Sequence, residues 1–447
     1  MHMNKPVTTE QPIRKAFLVG VEVSGQRSIW TVDDSLAELG QLAQTAGIEV
    51  VGRASQKVEK PSPSHYLGRG KVEQIRDLKA ELGYDLVIFD DELSPIQHRN
   101  LERDLAARIL DRSGLILDVF GQRARTREGQ LQVELAQYEY LLPRLTRQWT
   151  HLSRQFGAIG ARGGPGETQL EVDRRRVRER ITELKREIEK VRRHRALYRE
   201  QRQHEGIPVV ALVGYTNAGK STLLNALTNA GVAAEDQLFD TLDPTTRRIK
   251  LPSGRAVLLS DTVGFIQKLP PSVVVAFRAT LEELAQADVM VHIVDITHDC
   301  GYEQSRTVDD TLRELGLDAK PVVTALNKID RLVDEAKRRH VKPNGNLRAS
   351  LGDAWEPLKE LASHYPNGVP ISAALGWGLE ALRDRIESVL KSDLVDITVR
   401  LPYSAGDLVA LFHAKASVTK RSYTKDGVLI KGKVAQQLVP LFRKYAV

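Results

Sequence analysis

The chain has 447 residues, 41% of them hydrophobic, a formal net charge of +7 and a single cysteine, Cys300. That length exceeds one hydrophobic core, so two to four domains are expected, and one cysteine excludes internal disulfides and thiolate metal cages. No run approaches the roughly 18 apolar residues of a membrane span, and residues 1–15 lack a signal-peptide apolar core, so a soluble cytoplasmic chain is expected.

The first elements in chain order are apolar strand patterns at residues 16–21, 48–52 and 85–89, alternating with helical patterns at 35–45 and 71–82. That alternation predicts an N-terminal α/β domain with a parallel sheet over residues 1–128. The glycine-rich, basic stretch 65–71 reads as a turn, because a lone G-x-G is more often a turn than a ligand loop.

From Leu131 the apolar positions Leu135, Tyr138, Leu142, Leu145, Trp149 and Leu152 recur in steps of three and four, and Val177, Ile181, Leu184, Ile188 and Val191 repeat the pattern. With glycine-rich residues 157–166 between them, the two series predict an antiparallel helical hairpin over residues 129–204. Pro143 should begin or kink a helical turn. Residues 143–204 hold 17 Lys or Arg against 8 Asp or Glu, an excess of nine, so the rest of the chain carries −2. Such an excess cannot be neutralised within the hairpin. It points to RNA phosphate, with Arg162, Arg174, Arg175, Arg176 and Arg178 as candidate contacts; the alternative is a solvated face paired with Glu179, Glu183 and Glu187.

An apolar strand at 208–213 and a helix beginning at Ser221 flank Gly214-Tyr215-Thr216-Asn217-Ala218-Gly219-Lys220-Ser221, a G-x-x-x-x-G-K-S loop. In that context, loop N–H groups and the helix N-terminus bind phosphates, Lys220 reaches the β- and γ-phosphates, and Ser221, followed by Thr222, ligates Mg²⁺. A strand at 257–260 runs into Asp261-Thr262-Val263-Gly264, where Asp261 can hold Mg²⁺ through water and the Gly264 N–H can meet the γ-phosphate. Between these lies a threonine-rich switch candidate, residues 238–246. Spacing does not choose among Thr241, Thr245 and Thr246 as the second Mg²⁺ ligand.

Strands at 289–295 and 321–326 follow, the latter ending in Asn327-Lys328-Ile329-Asp330. The Asp330 carboxylate can accept from guanine N1–H and the exocyclic amine, whereas adenine would leave it unpaired, so GTP is preferred over ATP. Ser372-Ala373-Ala374 can contact the guanine carbonyl through its backbone. These elements define a P-loop GTPase domain with a mostly parallel, doubly wound α/β sheet over residues 205–392, with Lys220, Asn217, Thr241 and Gly264 as candidate catalytic residues. Phe265 stands where many such enzymes place a water-orienting glutamine, so intrinsic hydrolysis should be slow. Asn217 could help bind a monovalent cation such as K⁺, or serve only as a turn residue. Residues 393–447, with strands at 394–399 and 427–433 and helices at 406–414 and 434–445, predict a small α+β domain without legible chemistry.

Gly163-Gly164-Pro165-Gly166-Glu167-Thr168-Gln169-Leu170-Glu171-Val172-Asp173-Arg174-Arg175, residues 111–118 and residues 128–137 carry a resemblance to the HflX family of ribosome-associated GTPases that extends along nearly the whole length of the sequence. The family's F-A-T-L-D switch maps onto Phe239, Asp240, Thr241, Leu242 and Asp243, which favours Thr241 as the Mg²⁺ ligand; Asp240 departs from the family's alanine. The resemblance implies binding of the large ribosomal subunit and its rRNA with the hairpin tip near the peptidyl-transferase region; a monomer is expected. The resemblance further implies ribosome-stimulated hydrolysis, splitting or rescue of stalled or hibernating ribosomes, and an ATP-linked activity in the N-terminal domain to which no residues are assigned. The rival expectations are a GTPase of large-subunit assembly or RNA modification, and a ribosome-binding module whose GTP site is only a conformational sensor.

Overall fold

The computed structural model describes residues 14–25, 30–145, 169–205, 207–228, 238–239, 245–268, 284–333, 347–392, 394–424, 426–435 and 439–447. They fall in two compact units, residues 1–187 with 237–239 and 268–277, and the remainder.

In the first unit, β1 (Arg14–Val23), α1 (Val32–Thr45), β2 (Ile48–Val58), α2 (Arg69–Leu82), β3 (Leu86–Phe89), α3 (Pro95–Leu105), β4 (Arg108–Asp111), α4 (Arg112–Arg123) and α5 (Arg127–Leu141) follow in order. The strands form a parallel sheet in the order β2-β1-β3-β4. Side chains start the helices by satisfying their orphan N–H groups. Thr31 accepts from Asp34 N, Ser94 and Gln97 form a reciprocal capping box before Pro95, Asp111 accepts from Gly114 N and Thr126 from Gly129 N. Sequence patterning indicates neither α3, β4 nor α4.

An ionic cluster lies inside this sheet-helix unit. The Arg112 side chain, 1% exposed, donates to Asp90 at 2.7 Å and to Glu38, and Ser35 Oγ donates to Asp90 at 2.7 Å. Lys268, which belongs to the same unit, pairs with Asp90 and with Asp91 at 2.6 Å. Burial pushes the Asp90 carboxyl up, but Arg112 and Lys268 outweigh it and hold the group below its ordinary value. Nearby, Asp111 accepts from Tyr140 at 2.9 Å and from Arg144 at 3.0 Å.

α5 is followed by a turn of 3₁₀ helix, Leu142–Arg144, opened by Pro143, and α6 (Gln169–Glu205) runs antiparallel to α5. Val172, Val177, Ile181 and Leu184 form the buried seam, and Arg180 to Glu134 at 2.9 Å and Lys185 to Glu139 at 2.8 Å lace its flank. Trp149, Leu152, Arg162 and the glycine-rich tip lie outside the described residues.

The second unit takes in α6 from Ile188 and continues with β5 (Val209–Gly214), α7 (Lys220–Thr228), β6 (Thr245–Lys250), β7 (Ala256–Asp261), β8 (Val289–Asp295), α8 (Gly301–Glu314), β9 (Val322–Asn327), α9 (Trp355–Ser363), β10 (Val369–Pro370) and α10 (Leu379–Ser392). The sheet order is β10-β9-β8-β5-β7-β6, parallel throughout except for β6. Strands buried on both faces read as continuous apolar runs, and alternate residues of β5, β8 and β9 pack with α7 and α10 in one core. Neighbouring strands β5 and β8 lead away in opposite directions across the sheet, and their carboxyl ends form the crevice where such folds bind ligands.

The unit ends with β11 (Leu394–Leu401), α11 (Gly406–Lys415), β12 (Ala416–Thr424) and β13 (Gly427–Ala435), an antiparallel sheet in the order β11-β13-β12. Here the expected helix from Val434 is corrected: β13 continues to Ala435, and among the described residues beyond it Val439–Phe442 is α-helical and Arg443–Tyr445 a 3₁₀ turn. Val434 is buried opposite Val395, so a core position in the ladder overrides the local helical pattern.

Candidate nucleotide site

The loop after β5 is tied to the segment after β7 by three hydrogen bonds. Phe265 N donates to Gly214 O at 3.1 Å, Thr216 N donates to Phe265 O at 2.7 Å, and Gln267 N donates to the Tyr215 hydroxyl at 2.8 Å. This zipper sets Gly264 directly against the cradle. A Cβ on Gly264 would stand 2.7 Å from Thr216 Cα and 3.0 Å from Lys220 Nζ, so the position admits no side chain.

Lys220 begins α7, is buried, and donates to the carbonyls of Gly214 at 3.2 Å and Tyr215 at 2.7 Å. Burial pulls its pKa down to about 8, and Lys328 adds to the lowering against the raising influence of Asp261. A phosphate beside it would restore the full positive charge. Ser221 Oγ donates to Asp261 Oδ2 at 2.9 Å, so the hydroxyl and carboxylate singled out for Mg²⁺ stand side by side. This hard-oxygen pair fits a small divalent cation that keeps several waters. Thr262 is consumed structurally, its hydroxyl donating to Leu212 O, and Val263 is buried. Thr222 is half-buried on the first turn of α7.

Asn327 joins the phosphate loop to the base-reading loop. Its Nδ2 donates to Ala218 O at 2.8 Å, and its Oδ1 accepts from Ala373 N at 3.0 Å. Gly219, at φ +99°, passes so close that a Cβ there would meet Asn327 Nδ2. Asp330 accepts from Ser372 Oγ at 2.6 Å, and Ile329 N donates to Ile371 O at 3.3 Å. Lys328, in the left-handed region at φ 68°, pairs with Asp295 at 2.7 Å. Burial pushes Asp295 up, but Lys328 and the two Thr297 donors hold it below the ordinary value. Ala374 is exposed next to buried Ala373.

Asp295 and Trp377 join the site without a motif to mark them in the sequence. Asp295 ends β8 opposite Asn327 in register, and Trp377, 1% exposed, closes a bridge with Ser372 that holds the Ser-Ala-Ala turn. A lone Asp at a strand's carboxyl end and a Trp between two glycines are the signals that could have found them.

Among switch residues, Thr245 and Thr246 are in β6 opposite Asp261 and Ser260, and Thr246 Oγ1 lies 3.3 Å from Ser260 Oγ. Asp240, Thr241, Leu242 and Asp243 lie outside the described residues. Phe239 is 2% exposed and meets Phe120 edge-on, centroids 4.8 Å apart, within the first unit. Phe265 and Ile266 are buried, so their side chains face apolar surroundings and cannot orient a water molecule. Asn217 is exposed at φ 59°, a conformation asparagine tolerates.

Along α6, Arg174 donates to Leu145 O at 3.0 Å, and Arg175 approaches Glu179 at 3.9 Å. Arg176 and Arg178 have no ion-pair partner among the described residues, and Arg178 is exposed.

Models of four families match consecutive stretches: GTP-binding GTPase N-terminal over 33–121, GTP-binding GTPase Middle Region over 123–202, 50S ribosome-binding GTPase over 209–328, and HflX C-terminal domain over 357–438. GTPase HflX of Lacrimispora saccharolytica is 44% identical over 436 residues, 98% of this chain and 97% of the relative. The chain belongs to the HflX family of GTPases. GTPase HflX of Magnetococcus marinus is 47% identical over 92% of this chain and 90% of its own length, and that of Escherichia coli 42% identical over 88% of each. Among solved structures, a GTP-binding protein from Sulfolobus solfataricus in complex with GDP is 25% identical, covering 85% of this chain and 99% of its own, with a TM-score of 0.41. As an HflX-family P-loop GTPase, the protein binds guanine nucleotide and hydrolyses GTP. No helix among the described residues is long and apolar enough to cross a membrane.

Proposed function

We propose that this GTPase binds the large ribosomal subunit as a monomer in the cytoplasm and, in its GTP state, splits or rescues stalled or hibernating ribosomes, with hydrolysis ending the engagement. The observation that carries the nucleotide half of the cycle is Asn327, which bonds the phosphate loop and the Ser-Ala-Ala loop at once. One side chain thereby links the readers of the base and of the phosphates. Support for the ribosomal half comes from the family description over 209–328 and from arginines of α6 left without carboxylate partners.

In this reading the N–H groups of 214–221 and Lys220 bind the phosphates, Asp330 reads guanine, and the Ser372-Ala373-Ala374 backbone meets its carbonyl. Ser221, Thr241 and Asp261 through water would hold Mg²⁺, which when bound neutralises charge between the β- and γ-phosphates. The Gly264 N–H contacts the γ-phosphate. Since Phe265 is buried and apolar, the attacking water needs another orienting group, and the ribosome supplies it or stabilises the loop that does. Asn217 would help hold K⁺ near the transferring phosphate, so turnover should be faster in potassium than in sodium; equal rates would remove the cation.

Sucrose-gradient sedimentation of intact ribosomes with the protein and GTP tests the function. Conversion to subunits is expected. Intact ribosomes together with subunit-stimulated hydrolysis would favour a role in large-subunit assembly or RNA modification, and absence of stimulation would favour a conformational sensor.

A further inference from the structure

The three-stranded sheet of residues 394–435 has one face filled and one face open. Val399, Leu401, Val428, Ile430 and Val434 point to one side, where they pack with Phe412 and Phe442. The alternating positions point away, and Arg400, Lys420, Lys431 and Lys433 there are all exposed. The only carboxylate among the described residues in register with them is Asp396, 3.7 Å from Lys433. Arg400, Lys420 and Lys431 have no partner among the described residues.

Two features make this face more than a solvated surface. Lys420 and Lys431 are direct cross-strand partners, and like charges directly opposite each other destabilise a sheet. The pairing also depends on a bulge. Val418 lies opposite Gly432 and Lys420 opposite Lys431, so Thr419 is the extra residue. Without it the shorter, neutral Thr419 would take the place opposite Lys431. A bulge re-aims side chains and locally increases twist; here it brings a second ammonium onto the open face at a cost in stability.

We infer that the open face formed by Arg400, Lys420, Lys431 and Lys433 is an RNA-docking surface that binds the phosphate backbone of ribosomal RNA. Four cations against one carboxylate complement a row of phosphates, and the strand spacing of about 4.8 Å sets adjacent ammonium groups on a scale close to phosphate spacing. Contacts to phosphate carry no sequence information, so the surface is assigned to backbone rather than sequence recognition. The inference rests on the ribosomal reading only for the identity of the RNA.

The test uses the full chain with Lys420→Glu, alone and with Lys431→Glu, and with Lys420→Arg/Lys431→Arg as the charge-conserving control. Each is titrated with protein-free large-subunit rRNA, with intact large subunits, and with phosphatidylserine–phosphatidylcholine vesicles, over a range of salt concentrations. The single Lys420→Glu substitution relieves the like-charge pair, so the thermal midpoint should hold or rise while rRNA binding weakens. The double Glu variant should bind rRNA at least about tenfold more weakly near physiological salt, with the salt slope reduced by about two, while the Arg pair binds like the parent. Unchanged affinity and slope on protein-free rRNA would overturn the proposal, as would a weakening confined to intact subunits, which indicates a ribosomal protein, or to vesicles, which indicates lipid. Should the double Glu variant unfold, Lys420→Gln/Lys431→Gln removes the same charges and must show the same fall in slope. If subunits neither bind the parent chain nor stimulate its hydrolysis, the ribosomal reading fails while the protein-free rRNA titration still decides this surface.

Discussion

Single atoms decide much of the nucleotide chemistry. Gly264 has no room for a methyl group, since its Cβ would press against the Thr216 backbone and the Lys220 ammonium. Gly264→Ala should therefore push the N–H proposed for the γ-phosphate away from the cradle and lower GTP turnover by at least about tenfold, because displacement of a reacting group by about an ångström is worth that much or more. Single-turnover assays with saturating GTP would check it, and unchanged turnover would show that this N–H is not used. Asp330 presents the complementary case. It is already oriented by Ser372, and replacing it with Asn would remove the charged acceptor proposed for two guanine donors. At about 1.5 to 3 kcal/mol per charge-assisted bond, Asp330→Asn should weaken GTP binding by about a hundredfold or more while leaving thermal stability near the parent value, as fluorescent-nucleotide titration would reveal.

Elements carry a second layer of constraint, in which buried charges fix how helices meet the sheet. Arg112 lies at the start of α4, between Glu38 on α1 and Asp90 after β3. Arg112→Ala would leave two carboxylates buried without their guanidinium, and removing one partner of such a cluster costs about 3 to 5 kcal/mol. Chemical denaturation should show that drop. His292 on β8 gives a pH-dependent counterpart. Burial first, and Lys220 second, lower its pKa to about 4. The unfolded chain binds a proton near pH 6.5 that the folded chain refuses, so the stability tied to His292 is complete above about 6.5 and is lost as pH falls toward 4. Denaturation midpoints at pH 7 and pH 5 should differ less in His292→Gln than in the parent; an equal difference would assign the pH sensitivity elsewhere.

What is legible in the sequence follows the same division. The P-loop, the strands leading to Asp261 and Asn327, and the α5–α6 seam can be read there because glycine spacing and apolar periodicity are local signals. α3, β4 and α4 cannot, because their short strand and buried polar residues, including Asp111 and Arg112, acquire meaning only through partners far along the chain. The end of β13 carries a helical pattern, yet pairing with β11, rather than local propensity, decides Val434. Asn327 is recognisable as part of a guanine motif, but its role as a bridge between two loops needs the third dimension.

For the whole molecule, the proposed binding of rRNA turns on which cations in residues 143–204, where the charge excess sits, are left to meet phosphate. The arginines of α6 are not equivalent in this respect. Arg174 is committed to the Leu145 carbonyl and Arg180 to Glu134 and Glu183, so substituting either loosens the hairpin as well as removing charge. Arg176 and Arg178 make no ion pair among the described residues, which makes them the cleaner probes. Arg176→Ala with Arg178→Ala should leave the thermal midpoint unchanged, weaken association with large subunits, and reduce the slope of log affinity against log salt by about one for each phosphate pairing removed. Arg174→Ala, in contrast, should lower the midpoint and weaken binding together. Binding and salt slope unaltered in the Arg176/Arg178 variant would mean that this face of α6 is solvated and makes no RNA contact.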